Sequence, residues 1–353
     1  MPWRATGSRP ATASPTELEV STVKIVKGAG TVPDREPPVP GDAPAGEPRQ
    51  ERRTRWQSLR GRFDRRFSPY LFIAPYFLLF GIFGVFPMLF TFWVSLHDWS
   101  FIGGKAGFAG LDNYAFLVTD AKFWNALLNT LGIFVVAIVP QLLIALFLAD
   151  TLNRQLRWRG FFRMGVILPY VTSIAAMAIV FGQLFGRDFG LINLSLESFG
   201  LDGIDWRSNR LASWVAIAVM IDWRWLGFNT LIYLAAMQAI PRDLYESAAI
   251  DGASRLRQFW QITVPMVRPT IMFTVIIATI GQMQLFTEPV IFSADYRGGN
   301  QNQFQTVAML MFEEARQLDN FGYGAAISWI IFVLIVIFAV INVLFISRIR
   351  SAT

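Results

Sequence analysis

Residues 245–269 read YESAAIDGASRLRQFWQITVPMVRP, a polar stretch with helical periodicity between two long apolar runs. The pattern RDLYESAAI, which ends at Ile250, is about two and a half helical turns long. Gly252 follows where a left-handed cap residue is expected. Ser254 can cap a second helix, which we expect Pro265 to end. The stretch therefore predicts two short helices joined by a turn.

These two helices need a packing surface, because isolated helices shorter than about 12–15 residues are marginal in water. We expect Phe259, Trp260 and Ile262 to anchor them on the rest of the protein. Small residues leave a surface of low relief that another protein can approach closely: Ala248, Ala249, Gly252 and Ala253. Three interpretations stay open, namely an amphipathic loop on the bilayer, a DNA-reading helix-turn-helix and a docking element for a cytoplasmic partner.

The composition is that of a membrane protein. Hydrophobic residues make up 54% of the 353 residues and charged residues only 16%, against about a quarter in soluble domains. The chain has no cysteine and a single histidine, so we expect no disulfide framework and no metal site. It has no GxxxxGK[ST] phosphate-binding loop, so we do not expect it to hydrolyse ATP by that route.

Outside the polar stretch, long apolar runs predict an all-α integral membrane protein, since about 20 mostly apolar residues span a bilayer. Six runs qualify: 70–96, 126–149, 161–185, 211–237, 270–292 and 325–347. The fourth run is the weakest because Asp222 and Arg224 lie near its centre. We assign residues 68–350 to this membrane domain, with the helix-turn-helix of 241–269 between spans four and five.

Residues 1–67 differ from the rest of the chain. They hold half of the 18 prolines, have no apolar periodicity and end in a run of arginines. This composition predicts a disordered tail whose basic end lies against lipid head groups. Counting those arginines, Lys and Arg are in excess on the N-terminal side, so both termini and 241–269 are predicted to be cytoplasmic.

The motif in 241–269 resembles the EAA loop shared by permease subunits of binding-protein-dependent ABC importers. That loop reads roughly E-A-A-x-x-D-G-A, a variable stretch, and F-x-x-I-x-x-P-x-x-x-P. This chain matches it from Glu246 to Ala253, with Ser247 in place of the first alanine, and again at Phe259, Ile262, Pro265 and Pro269. The surrounding sequence looks most like the carbohydrate-uptake branch and its maltose-type first permease. A TxGGP segment typical of that subunit is reduced here to Gly298-Gly299.

The resemblance implies a transporter made of several subunits in a bacterial cell membrane. A second permease subunit would complete the pathway as a heterodimer, and a solute-binding protein would deliver the substrate. Two ATP-binding subunits would bind ATP and Mg, so this chain would carry no cofactor, no catalytic residue and no nucleic acid, and would contact only membrane lipid and these partners. The residues implied in coupling to the ATP-binding subunits are Glu246, Ala248, Ala249, Asp251, Gly252, Ala253, Phe259 and Pro265.

Polar side chains inside spans four and five are candidates for the substrate pathway, because a charged residue at a helix centre costs about 2.5–3.5 kcal/mol on insertion scales. Amide and carboxylate groups can bind sugar hydroxyls, and aromatic faces can stack on sugar rings. The candidates are Trp223, Arg224, Asn229, Gln282, Gln284, Phe286 and Glu288. The alternative is purely structural: interhelical hydrogen bonds of the glutamines, and pairing of Asp222 and Arg224 with neighbouring helices or subunits.

The cargo also has alternatives. Import of a sugar or oligosaccharide is the leading hypothesis, and import of glycerol-3-phosphate or another polyol would give Arg224 and Arg297 a larger role. An intramembrane enzyme is a remote third hypothesis, since its acids would be Asp222 and Glu288, without a histidine partner. A passive channel would not need docking helices.

Overall fold

The computed structural model describes residues 70–154 and 157–350, with side chains described as far as Leu344. The predicted tail, residues 1–67, lies outside the described residues. The chain divides after Phe72 into two compact units. The helical spans belong to the second unit, which begins at Ile73, except for the first three residues of the first helix.

Helices dominate the described part of the chain, and a β-hairpin follows the first of them. The helices are α1 (Tyr70–Ser95), α2 (Asp112–Thr119), α3 (Ala121–Asn153), α4 (Arg159–Val171), α5 (Ile174–Leu184), α6 (Leu191–Ser198), α7 (Arg210–Gln238), α8 (Arg242–Ile250), α9 (Arg255–Met283), α10 (Thr287–Ser293), α11 (Val307–Phe312) and α12 (Phe321–Arg350). The hairpin strands are β1 (His97–Ser100) and β2 (Gly104–Phe108). We call the end of the molecule that carries the hairpin the hairpin end, and the opposite end, with α8, the α8 end.

Within the described residues, five helices are long and apolar enough to cross a membrane, namely α1, α3, α7, α9 and α12. The predicted third span, 161–185, is not one continuous helix, because α4 and α5 meet at an angle of 92°. Thr172 and Ser173 have extended backbone between them. The hydroxyl of Thr172 donates a hydrogen bond to the carbonyl of Pro169 at 2.7 Å, and such local bonds compete with helix continuation. The chain thus has six spans only if this bent pair counts as one.

The fifth span also differs from its predicted bounds, 270–292. It begins at Arg255, passes through Pro265 and Pro269, and ends at Met283, so Pro265 does not end the second short helix. A π-helical turn at Phe259–Thr263 precedes the first proline. The wider turn gives the proline ring room against the preceding carbonyls, which an α-helical turn would not.

The hairpin corrects the all-α prediction. Its strands pair antiparallel, and Gly104 takes φ +70° at the turn. The carboxylate of Asp319 holds the tip, accepting bonds from the Ser100 hydroxyl and from the backbone N–H of Phe101 at 2.7 Å. The hydroxyl bond is the main cause of the lowered pKa of Asp319, so this clamp weakens only as the pH falls through that lowered value.

The spans pack by close approach at glycines. A Cβ on Gly132 in α3 would lie 2.3 Å from the ring of Trp214 in α7, and one on Gly227 would lie 1.7 Å from the carbonyl oxygen of Val166 in α4. Helices α3 and α7 form the central pair, against which α4 and α9 pack. Of the five spans, α1 has the smallest buried share. The break between α4 and α5 and the break between α9 and α10 both lie beside α7.

Candidate functional site

The EAA segment forms a tight helix-turn-helix at the α8 end. The N–H of Ala253 donates to the carbonyl of Ala248 at 2.9 Å, and the N–H of Gly252 donates to that of Ala249 at 3.1 Å. With Gly252 at φ +77°, this is a Schellman cap, which satisfies the last carbonyls of α8. Ser254 caps the next helix, accepting a bond from the N–H of Arg257.

One side of this segment is anchored on the spans. The Phe259 ring is buried and stacks on Phe147 of α3 with ring centroids 4.9 Å apart. The hydroxyls of Tyr245 in α8 and Thr263 in α9 share a hydrogen bond of 2.9 Å. Phe259 is therefore an anchor, and the predicted contact surface for a partner excludes it.

The other side of the segment is open. Glu246, Ala249, Asp251 and Gly252 are exposed, and Ala248 and Ala253 are half-buried. Among the described residues, no atom beyond the chain neighbours of Gly252 lies within 4 Å of a Cβ built there. Pro265 is exposed on α9, beyond the π-helical turn. The small residues of the motif thus leave an uncovered, low-relief surface.

A cavity of about 190 Å³ lies where α3, α7 and α9 meet the start of α10. Its wall includes six of the seven predicted pathway residues: Arg224, Asn229, Gln282, Gln284, Phe286 and Glu288. Trp223 is not among them. Its side chain is 39% exposed and packs on Phe181 with ring centroids 5.5 Å apart, because adjacent helical residues point about 100° apart.

Two buried polar atoms of the cavity have no hydrogen-bond partner in the described part of the chain: Nε of Arg224 and Oε1 of Gln282. The guanidinium of Arg224 lies 5.7 Å from the ring centres of Tyr170 and Trp225. Glu288 is buried in the first turn of α10, and among the described residues no ion pair within 4 Å joins it to Arg224. Because buried polar groups are nearly always paired, these two unpaired atoms in its wall residues mark the cavity as a candidate binding site.

The neighbouring polar residue, Asp222, has a structural partner. The Gln141 amide of α3 donates to the Asp222 carboxylate at 3.2 Å, and its oxygen accepts from Asn229, also at 3.2 Å. Asp222 therefore faces α3, whereas Arg224 lies near Tyr170 of α4. Sequence reasoning missed Gln141 and Trp225 in the cavity wall. A glutamine beside Pro140 in an otherwise apolar span was the available signal.

Comparisons with known proteins agree with this architecture. Residues 141–351 match the model of the family described as "Binding-protein-dependent transport system inner membrane component". The chain is 37% identical to a lactose transport system permease protein of Rhizobium radiobacter over 272 residues, 76% of this chain and 90% of the relative. It is 32% identical to a trehalose/maltose transport system permease protein of Thermococcus litoralis over 273 residues, 77% and 91% of the two chains.

A solved structure shares the fold. A chain of the bacterial alginate ABC transporter in complex with an alginate pentasaccharide-bound periplasmic protein superposes with a TM-score of 0.67 at 21% identity, covering 80% of this chain and 94% of that one. The helical spans, the EAA segment and these matches place the chain in one class of multi-pass membrane proteins, which are transport components and not catalytic enzymes. The chain belongs to the family of inner membrane permease components of binding-protein-dependent ABC transport systems.

Proposed function

We propose that this chain forms, with a second permease subunit, the pathway for ATP-driven import of a sugar or oligosaccharide across a bacterial cell membrane. The observation that carries this proposal is the 190 Å³ cavity, whose wall combines the polar residues Arg224, Gln282 and Glu288 with the aromatic residue Phe286. Sugar hydroxyls both donate and accept hydrogen bonds, so donors such as Arg224 and acceptors such as Glu288 in this wall suit a sugar. The relatives named for lactose and for trehalose/maltose transport support this cargo.

The charges of the cavity favour a neutral sugar over glycerol-3-phosphate or another phosphorylated polyol. A phosphate group carries about −1.5 to −2 charges near neutral pH. Arg224 would attract it, but Glu288 lines the same cavity and would repel it. Arg297, the other cation considered for this cargo, makes an ion pair with Glu313, with Nε and Oε1 3.3 Å apart.

We also assign the open surface of α8 and Gly252 to docking of an ATP-binding subunit, which would bind ATP and Mg. Two such subunits would serve the permease pair. In this arrangement the α8 end and both termini are cytoplasmic, as the Lys and Arg distribution favours. A solute-binding protein would deliver the sugar at the hairpin end. The exposure of the motif's small residues supports this assignment.

The test is uptake by the complete transporter in proteoliposomes, supplied with its solute-binding protein and a panel of radiolabelled lactose, trehalose and maltose. Glu288→Ala is expected to lower uptake about tenfold or more, because a hydrogen bond from the sugar to a charged group contributes about 1.5–3 kcal/mol, and Gln284→Ala about two- to tenfold, because a neutral hydrogen bond contributes about 0.5–1.5 kcal/mol. Recovery of the assembled complex should not change.

The matched control is Gln183→Ala in α5, a glutamine outside the cavity wall, which should transport normally. Wild-type uptake by both cavity variants would exclude this cavity as the pathway. Uptake of glycerol-3-phosphate but of no sugar would assign the phosphorylated cargo instead.

A further inference from the structure

Three aromatic side chains form a cluster next to the cavity, on its hairpin-end side. The ring of Phe286 lies 6.2 Å from that of Tyr296 and 5.2 Å from that of Phe312, and the last two are 4.6 Å apart. All three residues are only half-buried. We call Phe286, Tyr296 and Phe312 the aromatic triad.

Buried polar groups hold the triad in place. The amide of Gln305, fully buried, donates to the backbone carbonyl of Tyr296 at 3.0 Å and to the Glu313 carboxylate at 2.6 Å. Glu313 directly follows Phe312 in the chain, and its other oxygen pairs with Arg297. One amide thus fixes the loop that carries Tyr296 to the helix that carries Phe312. The rings themselves stay accessible, and within the described residues the hydroxyl of Tyr296 makes no hydrogen bond.

Phe286 connects the triad to two cavities, while Tyr296 lies behind it and lines neither. Phe286 and Gln284 line both the 190 Å³ cavity and a second cavity of about 420 Å³, whose wall also includes Phe312. Pockets for drug-sized ligands measure about 300–1,000 Å³, so the first cavity alone is too small for a disaccharide or a longer sugar. The second cavity supplies the missing length, with Phe286 at the junction.

We propose that the aromatic triad is a stacking subsite for the second and later rings of an oligosaccharide whose first ring occupies the 190 Å³ cavity. The C–H faces of pyranose rings are apolar and pack on aromatic rings, while the ring hydroxyls remain free for the Gln284 amide. The chemistry that fits is a neutral, unbranched chain of at least two rings. This inference rests on the proposed function and adds to it the length preference of the transporter.

The test compares uptake of one-ring and multi-ring sugars by the complete transporter in proteoliposomes. The probes are glucose, galactose, maltose, lactose, maltotriose and maltopentaose. Tyr296→Leu and Phe312→Leu should lower uptake of the multi-ring probes about three- to tenfold, since one aromatic contact contributes about 0.5–1.5 kcal/mol beyond area burial. Uptake of any imported one-ring sugar should change less than about twofold, or, where none is imported, the loss should grow from two rings to five.

Two further variants separate stacking from packing. Tyr296→Phe keeps the ring and should restore uptake of the multi-ring probes. Phe199→Leu removes an aromatic ring that is 83% exposed at the hairpin end, away from both cavities, and should leave uptake at the wild-type rate.

The outcomes distinguish this inference from the proposed function. Equal losses for all probes, or normal uptake of multi-ring sugars by both leucine variants, would overturn the subsite while leaving sugar import intact. Loss of the second permease subunit from the purified leucine variants, with an unchanged length preference, would overturn it too, by showing that a helix of that subunit covers the triad. Import of no probe by the wild-type transporter would overturn the proposed function itself.

Discussion

Gly252→Leu is the sharpest perturbation of the proposed docking surface. Gly252 has φ +77°, and a Cβ there would meet no atom of the described residues within 4 Å. The cost of the substitution inside the chain is therefore limited to the left-handed backbone, about 1–2 kcal/mol. That corresponds to about a 5- to 30-fold change in the local equilibrium, which membrane insertion of the long spans should tolerate.

Gly200→Leu is a matched control for this backbone cost. Gly200 has φ +76°, and a Cβ there would also be more than 4 Å from every described atom. It lies in the loop between α6 and α7, at the hairpin end. The two variants share the strain, so any difference between them in binding of the ATP-binding subunit measures what the leucine side chain does at the docking surface.

The assay is co-purification of the ATP-binding subunit, paired with ATP hydrolysis in proteoliposomes stimulated by the sugar-loaded binding protein. We expect Gly252→Leu to lose most of the co-purified subunit and of the stimulation, because the added leucine side chain stands on a surface that must be approached closely. Gly200→Leu should retain both. If the two variants behave alike, the Gly252 surface does not couple this chain to an ATPase.

Two further variants test the docking surface and the helix packing. Glu246→Ala removes an exposed carboxylate from α8 and should lower stimulated ATP hydrolysis more than co-purification; a larger effect on co-purification would make Glu246 an assembly residue. Gly227→Ala should lower the free energy of unfolding by about 1–3 kcal/mol through overpacking, since its Cβ would lie 1.7 Å from the Val166 carbonyl oxygen. Gly165→Ala in α4 has no described atom within 4 Å of its Cβ and should leave the melting temperature of the purified complex unchanged, whereas equal melting temperatures for both variants would contradict the packing argument.

Local patterns predict the spans and the turn at Gly252 because both depend on short-range chemistry. A run of about 20 apolar residues forms a helix in a membrane wherever its neighbours lie. The cap at Gly252 needs only φ > 0 and two hydrogen bonds inside one segment. The pattern predicts span one as 70–96, and the helix runs from Tyr70 to Ser95; it predicts span four as 211–237, and the helix runs from Arg210 to Gln238.

Proline and polar residues inside the spans are harder to interpret. Pro265 is typical of a helix end, yet the π-helical turn before it allows α9 to continue. Thr172-Ser173 lies within a predicted span, yet the chain bends there by 92°. Each outcome depends on hydrogen bonds that a single residue preference does not reveal, so the lengths of spans three and five could not be predicted.

The residues of the cavity wall were likewise predicted only in part. Polarity in an apolar run singles out Gln282, Gln284 and Glu288, because such side chains are costly in a membrane without a partner. The helical period tells which residues share one face of a helix. Which of those faces lines the cavity depends on the neighbouring helices. Trp223 is among the predicted pathway residues but packs outside the cavity. Gln141 was not predicted, because its hydrogen bond with Asn229 joins residues of two spans that are 88 positions apart in the chain.

The continuity of α9 connects the two sites that the sequence suggests separately. Its first turn follows the EAA turn at Gly252, and its last turn carries Gln282 into the cavity wall. Its 29 residues span about 43 Å at about 1.5 Å per residue. Had Pro265 ended the helix, a displacement of the docking surface would be absorbed in a loop. Because it does not, we propose that movement of α8 by a docked ATPase would tilt α9, whose near end is held on Phe147 by Phe259, and would thereby displace Gln282. We infer that α9 would transmit movement of the ATP-binding subunits to the sugar site. Because α9 ends at Met283, the displacement would occur at the cavity wall.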